Sequence, residues 1–408
     1  MKKTVSYFCL VTLFVPYLLS QKINSNFPIK ADSGYINVDG SKLFYEEAGE
    51  GETLVLLHDG ILHHVIWNEQ FPVLAKNYRV IRYDRRGFGK SLPPKDPFSH
   101  VDDLNQLFTQ LKIDNAIVFG MSAGGGLAID FTLKYPEKVN AMVLVGAVVS
   151  GYGYSTHFFT RGGRITSLSE YLDPPKFIQY FGWEDPYEIY PENIEAKEKF
   201  LRILKANPQN VRGALGNLAQ PPDRPAVKFL SEINVPVLIL VGEFDIPDVH
   251  AHSGVIEAGI SNAKREIIFN SGHLIPLEQT EAFNSSVLKF LNSMEFFRIL
   301  NSQGVNAAVR YFHKKREAEP DIVILDENEM NSLGYSFLQN GKTKDAIELF
   351  KLITIAYPKS SNTYDSLGEA YLADGQKDLA IKNYEKSLEL NPNNTNAQKV
   401  LKDLKRKK

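Results

Sequence analysis

The sequence predicts an α/β fold, a mostly parallel sheet flanked by helices, followed by an all-α repeat region. Three observations carry this. Between about residues 34 and 292, short apolar strand signals alternate with helical segments. One interval, about 151–225, breaks that rhythm with no strand signal and many aromatics. From about Glu295 onward the chain reads as helix and repeats itself at a fixed offset.

The chain has 408 residues, 43% hydrophobic and 23% charged, with a net charge of −2. That is ordinary globular composition, long enough for two or three domains. The balance offers no basis for nucleic-acid binding. Residues 1–20 read as an export signal: Lys2 and Lys3 precede an apolar run from Val5 to Leu19, followed by Ser20-Gln21-Lys22. The run is short for a membrane span and Pro16 interrupts it. We therefore expect an exported protein, periplasmic or secreted, with no membrane span after signal removal. An uncleaved N-terminal anchor is the alternative. Cys9, the only cysteine, lies inside the signal. The mature chain thus has no thiol for disulfides, catalysis or metal binding.

The elements follow in order. Tyr35–Val38 and Leu43–Glu47 flank Asp39-Gly40, a hairpin turn signal. Thr53–Leu57, Arg79–Tyr83, Ala116–Phe119, Ala141–Val145, Val237–Val241 and Glu266–Phe269 read as buried strands. The 151–225 interval holds Tyr152, Tyr154, Phe158, Phe159, Tyr171, Phe177, Tyr180, Phe181, Trp183, Tyr187 and Tyr190. It reads as a helical insertion that leaves and rejoins the sheet at one edge. Its aromatics suit an apolar pocket or the insertion's own core.

Further on, Leu333-Gly334, Phe337, Gly341, Ala346-Ile347, Phe350 and Pro358 recur 34 residues later as Leu367-Gly368, Tyr371, Gly375, Ala380-Ile381, Tyr384 and Pro392. Period and residue types resemble tetratricopeptide repeats. Units fall near 327–360 and 361–394, with a degenerate unit near 295–320 (Ala308, Phe312, Pro320) and a capping helix over Thr395–Leu404. The resemblance implies a protein or peptide partner.

Gly120-Met121-Ser122-Ala123-Gly124 fits G-x-S-x-G. Alone, the pattern is weak. Here a strand precedes it and a helical stretch, Ala123 to Tyr135, follows and ends at Pro136. Strand, sharp turn and helix is the setting that exposes a nucleophilic serine. The glycines let backbone approach backbone, and the helix N-terminus favours developing negative charge.

With Leu56-Leu57-His58-Asp59-Gly60 and the run Arg82-Tyr83-Asp84-Arg85-Arg86-Gly87-Phe88-Gly89-Lys90-Ser91, this elbow makes residues 34–292 resemble the α/β-hydrolase superfamily. The resemblance implies an eight-stranded sheet, a helical cap at about 151–225, and a triad in the order Ser, acid, His. The expected organisation is a signal at 1–20, a hydrolase domain at 21–294 and repeats at 295–408. His273, in the loop after the last strand signal, stands at the family's base position. Asp245, just past Val237–Val241, stands at the acid position and could hold the His273 tautomer. Asp248 is its rival, and Glu243 is expected to point away. Backbone N–H groups of Ala123 and Gly60 are the expected oxyanion donors, with Ile61 in reserve. Asp59 would disfavour an oxyanion unless its side chain turned away. Asp84 and Arg85 read as a structural turn. His58 reads as structural. His63-His64 and His250-x-His252 lack a completing ligand set and read as solvated loop histidines.

The expected activity is a serine hydrolase that cleaves an ester, lactone or related acyl bond of a small apolar-leaning substrate through an acyl-enzyme. It would need no cofactor and no metal. The alternative is a catalytically inert or secondary hydrolase fold that serves as a repeat-based protein-binding module.

Overall fold

The computed structural model describes residues 30–165, 167, 173–210, 218–320 and 322–406. The expected signal segment 1–20 and Tyr171 lie outside them.

Eight strands form one sheet: β1 Asp32–Val38, β2 Ser41–Ala48, β3 Thr53–Leu57, β4 Arg79–Tyr83, β5 Ala116–Met121, β6 Val139–Val145, β7 Val237–Gly242 and β8 Ala263–Ile268. Their spatial order is β1-β2-β4-β3-β5-β6-β7-β8. β2 pairs antiparallel with both β1 and β4, and the remaining pairs are parallel. Gly40, at φ +68°, makes the β1–β2 turn, a conformation that L side chains resist.

The central strands alternate between two buried faces. Leu54, Leu56, Ile117 and Phe119 join one core, and Val55, Leu57, Ala116 and Val118 the other. A sheet covered on both sides needs apolar residues at every position, which is why these strands read as continuous apolar runs. Helices α1 (His100–Gln110) and α2 (Ala123–Lys134) cover the second face through Leu104, Phe108, Leu127 and Phe131.

The chain leaves β6 at Ser150 and returns at Ala226, and these ends clasp: Val227 N donates to Ser150 O at 3.0 Å, and Ala226 N to Ser150 Oγ at 2.9 Å. Between them lie short helices at Thr156–Thr160 and Pro174–Gln179, and α3 (Ile194–Ala206). Phe177, Phe181, Phe200 and Leu204 pack from this cap onto the first core. After β7 and α4 (Pro247–Gly259), the last hydrolase helix, α5 (Thr280–Gln303), runs without a break into the repeats. Phe283, Val287 and Leu291 belong to the hydrolase core, and Phe296 and Leu300 to the repeat core. The boundary expected at 294/295 therefore falls inside one continuous helix rather than in a linker.

Helices α6 (Val305–Ala318), α7 (Glu327–Gln339), α8 (Thr343–Ala356), α9 (Ser361–Ala373), α10 (Lys377–Leu390) and α11 (Thr395–Arg406) follow. A Cβ on Gly334 would meet the Phe350 ring at 2.6 Å, and one on Gly368 the Tyr384 ring at 3.2 Å. The repeat motif thus pairs a glycine on one helix with an aromatic on the next.

Candidate active site

β3 leads to β4 on one side and β5 lies on its other side, so the strand order reverses between β3 and β5. Ligand crevices form outside the carboxyl ends of parallel strands at such a point. The loop after β3 carries Gly60, and the turn after β5 carries Ser122.

Ser122 adopts φ +52° and ψ −116°, an uncommon conformation for a non-glycine residue. Its N–H donates to Val145 O at 2.8 Å, and its carbonyl accepts from Gly125 N at 2.9 Å, in the first turn of α2. A Cβ on Gly120 would lie 2.6 Å from Gly125 Cα, and one on Gly124 would lie 2.5 Å from His58 O. Only glycine allows strand, helix and β3 loop to meet this closely.

His273 and Asp245 come together. His273 Nδ1 donates to Asp245 Oδ2 at 2.8 Å, and Asp245 Oδ1 accepts from Ile246 N at 2.7 Å. Burial pulls the imidazole pKa down. The facing Asp245 carboxylate, with Glu188 and Asp59, outweighs it and raises His273 to about 9. A Cβ on Gly146 would stand 2.9 Å from the His273 ring. Gly146 follows Val145, the partner of Ser122 N, so one step of β6 connects the elbow to the His–Asp pair. Among the described residues, the Ser122 hydroxyl makes no hydrogen bond to His273.

The rival acid has another task. Asp248 accepts from Ser155 N at 2.6 Å and Ser155 Oγ at 2.8 Å, at the cap entrance. Glu243 Oε2 accepts from Asn270 N at 3.0 Å.

Gly60 and Ala123 are neighbours: a Cβ on Gly60 would sit 3.8 Å from Ala123 Cβ. Ala123 is the first residue of α2, so its N–H has no acceptor inside the helix. The Ile61 N–H is taken by Asp59 Oδ1 at 2.5 Å, as is that of Leu62 at 2.7 Å. Asp59 therefore folds one carboxylate oxygen back into its own loop, and Gly60 is the donor left over.

His58 is held as a neutral tautomer. Nδ1–H donates to Asp59 O at 2.8 Å, and Nε2 accepts from Arg85 N at 3.0 Å. Burial, and next the Arg85 charge, keep its pKa well below the usual value. Asp84 ties loops together by accepting from His64 N and Nδ1 and from Lys90 N. Contrary to the expectation of solvated loop histidines, His63, His64 and His252 are buried: His63 Nδ1 lies 3.2 Å from Asn210 Nδ2, Asp84 holds His64, and His252, within α4, accepts from Val149 N at 3.1 Å.

Sequence reasoning overlooked a charged cluster in the cap. Arg161 is buried between Asp185, at 3.3 Å, and Glu188, at 3.0 Å. Glu278 fastens the cap to the His273 loop, accepting from Tyr190 N at 2.6 Å and Gly272 N at 2.8 Å. Burial pushes Glu278 up to about 8 and Glu188 up to about 7. The one available signal was carboxylates and an arginine within an otherwise aromatic insertion.

Residues 52–187 match the family model for the alpha/beta hydrolase fold. The N-terminal domain is an α/β hydrolase. Residues 361–394 match the tetratricopeptide repeat model. The 2-hydroxy-6-oxononadienedioate/2-hydroxy-6-oxononatrienedioate hydrolase of Escherichia coli (strain K12) is 29% identical to the α/β-hydrolase region, over 64% of this chain and 96% of that one. An esterase from Exiguobacterium antarcticum superposes with a TM-score of 0.54 at 26% identity, over 63% of this chain and 98% of that one. A structure described as an N-acyl homoserine lactone degrading enzyme gives 0.53 at 27% identity, over 63% and 100%. An α/β hydrolase with such relatives is an enzyme of the hydrolase class.

Proposed function

We propose that the α/β-hydrolase domain is a serine hydrolase that opens an ester, lactone or related acyl bond of a small, apolar-leaning substrate. Ser122 is the nucleophile, His273 the general base and Asp245 the residue that orients and charges it. The observation that carries the reading is the buried His273–Asp245 hydrogen bond at 2.8 Å, one strand step from a serine held at φ +52°.

Neutral His273 removes the Ser122 proton through Nε2 as Oγ attacks the acyl carbon. The carbonyl oxygen gains negative charge and settles against the N–H groups of Ala123 and Gly60, fixed donors that need no reorganisation. The imidazolium, stabilised by Asp245, returns its proton to the leaving oxygen, and the acyl group stays on Oγ. Water, deprotonated by His273, then releases the acid. No step calls for a cofactor or a metal.

The relatives support this class and bound it. The superposed esterase and lactone-degrading enzyme favour C–O cleavage. The dioate hydrolase favours the second reading, cleavage of a C–C bond beside a ketone, by the same nucleophile. A panel of p-nitrophenyl esters, acyl lactones and vinylogous diketo acids, assayed with the full chain, separates them. Ester or lactone turnover that vanishes in Ser122→Ala supports the first reading. Turnover of the diketo acids alone supports the second. Turnover that persists in Ser122→Ala overturns both.

The repeats suit a protein or peptide partner, and a hydrolase domain secondary to that binding is the competing reading. The basic and apolar residues 1–20 support export to the periplasm or outside the cell, by a cleaved signal or as an anchor. No helix among the described residues is long and apolar enough to cross a membrane.

A further inference from the structure

Within the cap, residues 185–190 lie directly on the His273 loop. His273 N donates to Tyr187 O at 2.8 Å, and Leu274 N to Glu188 O at 3.0 Å. A Cβ on Gly272 would strike Tyr187 O. Glu278 closes the arrangement from the far side, through Tyr190 N and Gly272 N. Glu188 is therefore positioned against His273 by backbone pairing on both sides of the seam, not by a loose loop.

Glu188 is 5% exposed and Asp59 is 1% exposed. Arg161 Nη2 donates to Glu188 Oε1, while Glu188 Oε2 is buried with no hydrogen-bond donor among the described residues. Asp59 Oδ2 is in the same condition on the oxyanion loop. A buried carboxylate oxygen without a donor is costly, so its retention calls for an explanation. Both carboxylates act on the His273 imidazole and, with Asp245, favour its charged form. Arg161 does not neutralise the group, because Asp185 shares it. The other nearby cation, Arg85, is committed beneath the oxyanion loop, where it donates to Asp59 O. The described ionisable groups around the base are thus the acids Asp59, Asp185, Glu188, Asp245 and Glu278, the last raised to about 8, against the cations Arg161 and Arg85.

We propose that Glu188 is a specificity-determining residue: its buried carboxylate, delivered by the cap to the His273 loop, makes the site accept uncharged acyl substrates and reject those that carry a carboxylate near the scissile bond. This rests on the first reading of Ser122, hydrolysis of an ester, lactone or related acyl bond, and turnover of the carboxylate-bearing diketo acids alone would contradict it. In a poorly solvated site, a like charge on the substrate has no water to screen it. The rejection is graded with pH. Burial lifts Glu188 to about 7 and its neighbour Glu278 to about 8, so carboxylate charge beside the base accumulates as pH rises through this range.

The test compares p-nitrophenyl butyrate with the mono-p-nitrophenyl ester of succinic acid, which places a carboxylate near the far end of a similar chain. kcat/KM is measured for the full chain and for Glu188→Gln between pH 6 and 8.5 at low ionic strength. The expected wild-type result is a preference for butyrate of about tenfold or more, widening as pH rises and shrinking with added salt. In Glu188→Gln the preference narrows several-fold and its pH dependence weakens, leaving the part that Glu278 contributes near 8. Equal use of both esters by the wild type at every pH would overturn the proposal. So would an unchanged preference in a folded Glu188→Gln protein. If that variant does not fold, the pH and salt dependence of the wild-type ratio decides alone. If the wild type hydrolyses neither ester and Ser122 resists fluorophosphonate, the hydrolase reading itself has failed and takes this inference with it.

Discussion

Among its described residues the hydrolase domain contains two buried Asp–His pairs of nearly identical geometry. His273 Nδ1 lies 2.8 Å from Asp245, and His64 Nδ1 lies 2.7 Å from Asp84. Their surroundings differ. Asp84 also accepts from His64 N and Lys90 N, its backbone carbonyl accepts from Ser91 Oγ, and a Cβ on Gly89 would run into its carboxylate. The second nitrogen of His64 faces Glu46 at 3.7 Å. In that pair the carboxylate is saturated and fastens the loops after β3 and β4, and the second ring nitrogen points toward another carboxylate, not toward a serine. The Asp245–His273 pair is left incomplete: among the described residues no partner occupies the other ring nitrogen, and Gly146 beneath it leads back to Ser122. The chemistry of a histidine–carboxylate pair therefore resides in what it leaves unsatisfied. A search for the pair alone would have found two sites.

Substitutions can break this contrast. The largest effect belongs to Ser122→Ala, which should reduce kcat for a neutral ester by on the order of 10⁴–10⁶-fold with the fold intact, as read by circular dichroism. Asp245→Asn should follow, at about 10⁴-fold, because the amide favours the wrong imidazole tautomer. Asp84→Ala should do the reverse. It should lower stability by about 3–5 kcal/mol in urea unfolding, through the stranded His64, while the surviving folded enzyme keeps kcat/KM within a few-fold. Equal catalytic loss in both aspartate variants would erase the distinction.

A smaller effect sharpens it through pH. His273 must be neutral to act as base, and burial opposed by Asp245 leaves its pKa at about 9. Activity on a neutral ester should therefore climb as pH rises toward 9, and Asp245→Asn should move the midpoint down. The same shift has a stability consequence of defined sign. A histidine raised above its unfolded value stabilises the fold fully below about 6.5, and that contribution disappears as pH rises through about 9. Denaturant midpoints should fall over that window in the wild type and less in Asp245→Asn.

The parts most legible in the sequence are those where one local rule governs. Thr53–Leu57 appears with its expected bounds because burial on both faces demands an unbroken apolar run. Arg79–Tyr83 also keeps its bounds, with Arg79 and Arg82 paired to Glu47 and Glu46 of β2. The repeats are legible from their period alone. β8 is displaced from the expected Glu266–Phe269 to Ala263–Ile268, since an edge strand carries charges and takes its register from β7. The hydrolase–repeat boundary is hidden for another reason: α5 keeps an apolar face through both cores, with Phe283 and Leu291 in one and Phe296 and Leu300 in the other. At the candidate site, the positions of Ser122, Asp245 and His273 are legible because they follow strand ends. Arg161, Asp185, Glu188 and Glu278 are not, because tertiary pairing of the cap with the His273 loop gives them their surroundings, and no periodicity announces it.

The most direct test of the account is covalent. The full chain is treated with a fluorophosphonate, digested, and the adduct located by mass spectrometry. The account predicts one adduct on the peptide bearing Ser122, slowed as pH falls below the His273 midpoint and abolished in Ser122→Ala. An adduct that survives in Ser122→Ala, or a folded wild type that takes up no label at pH 9, would contradict it.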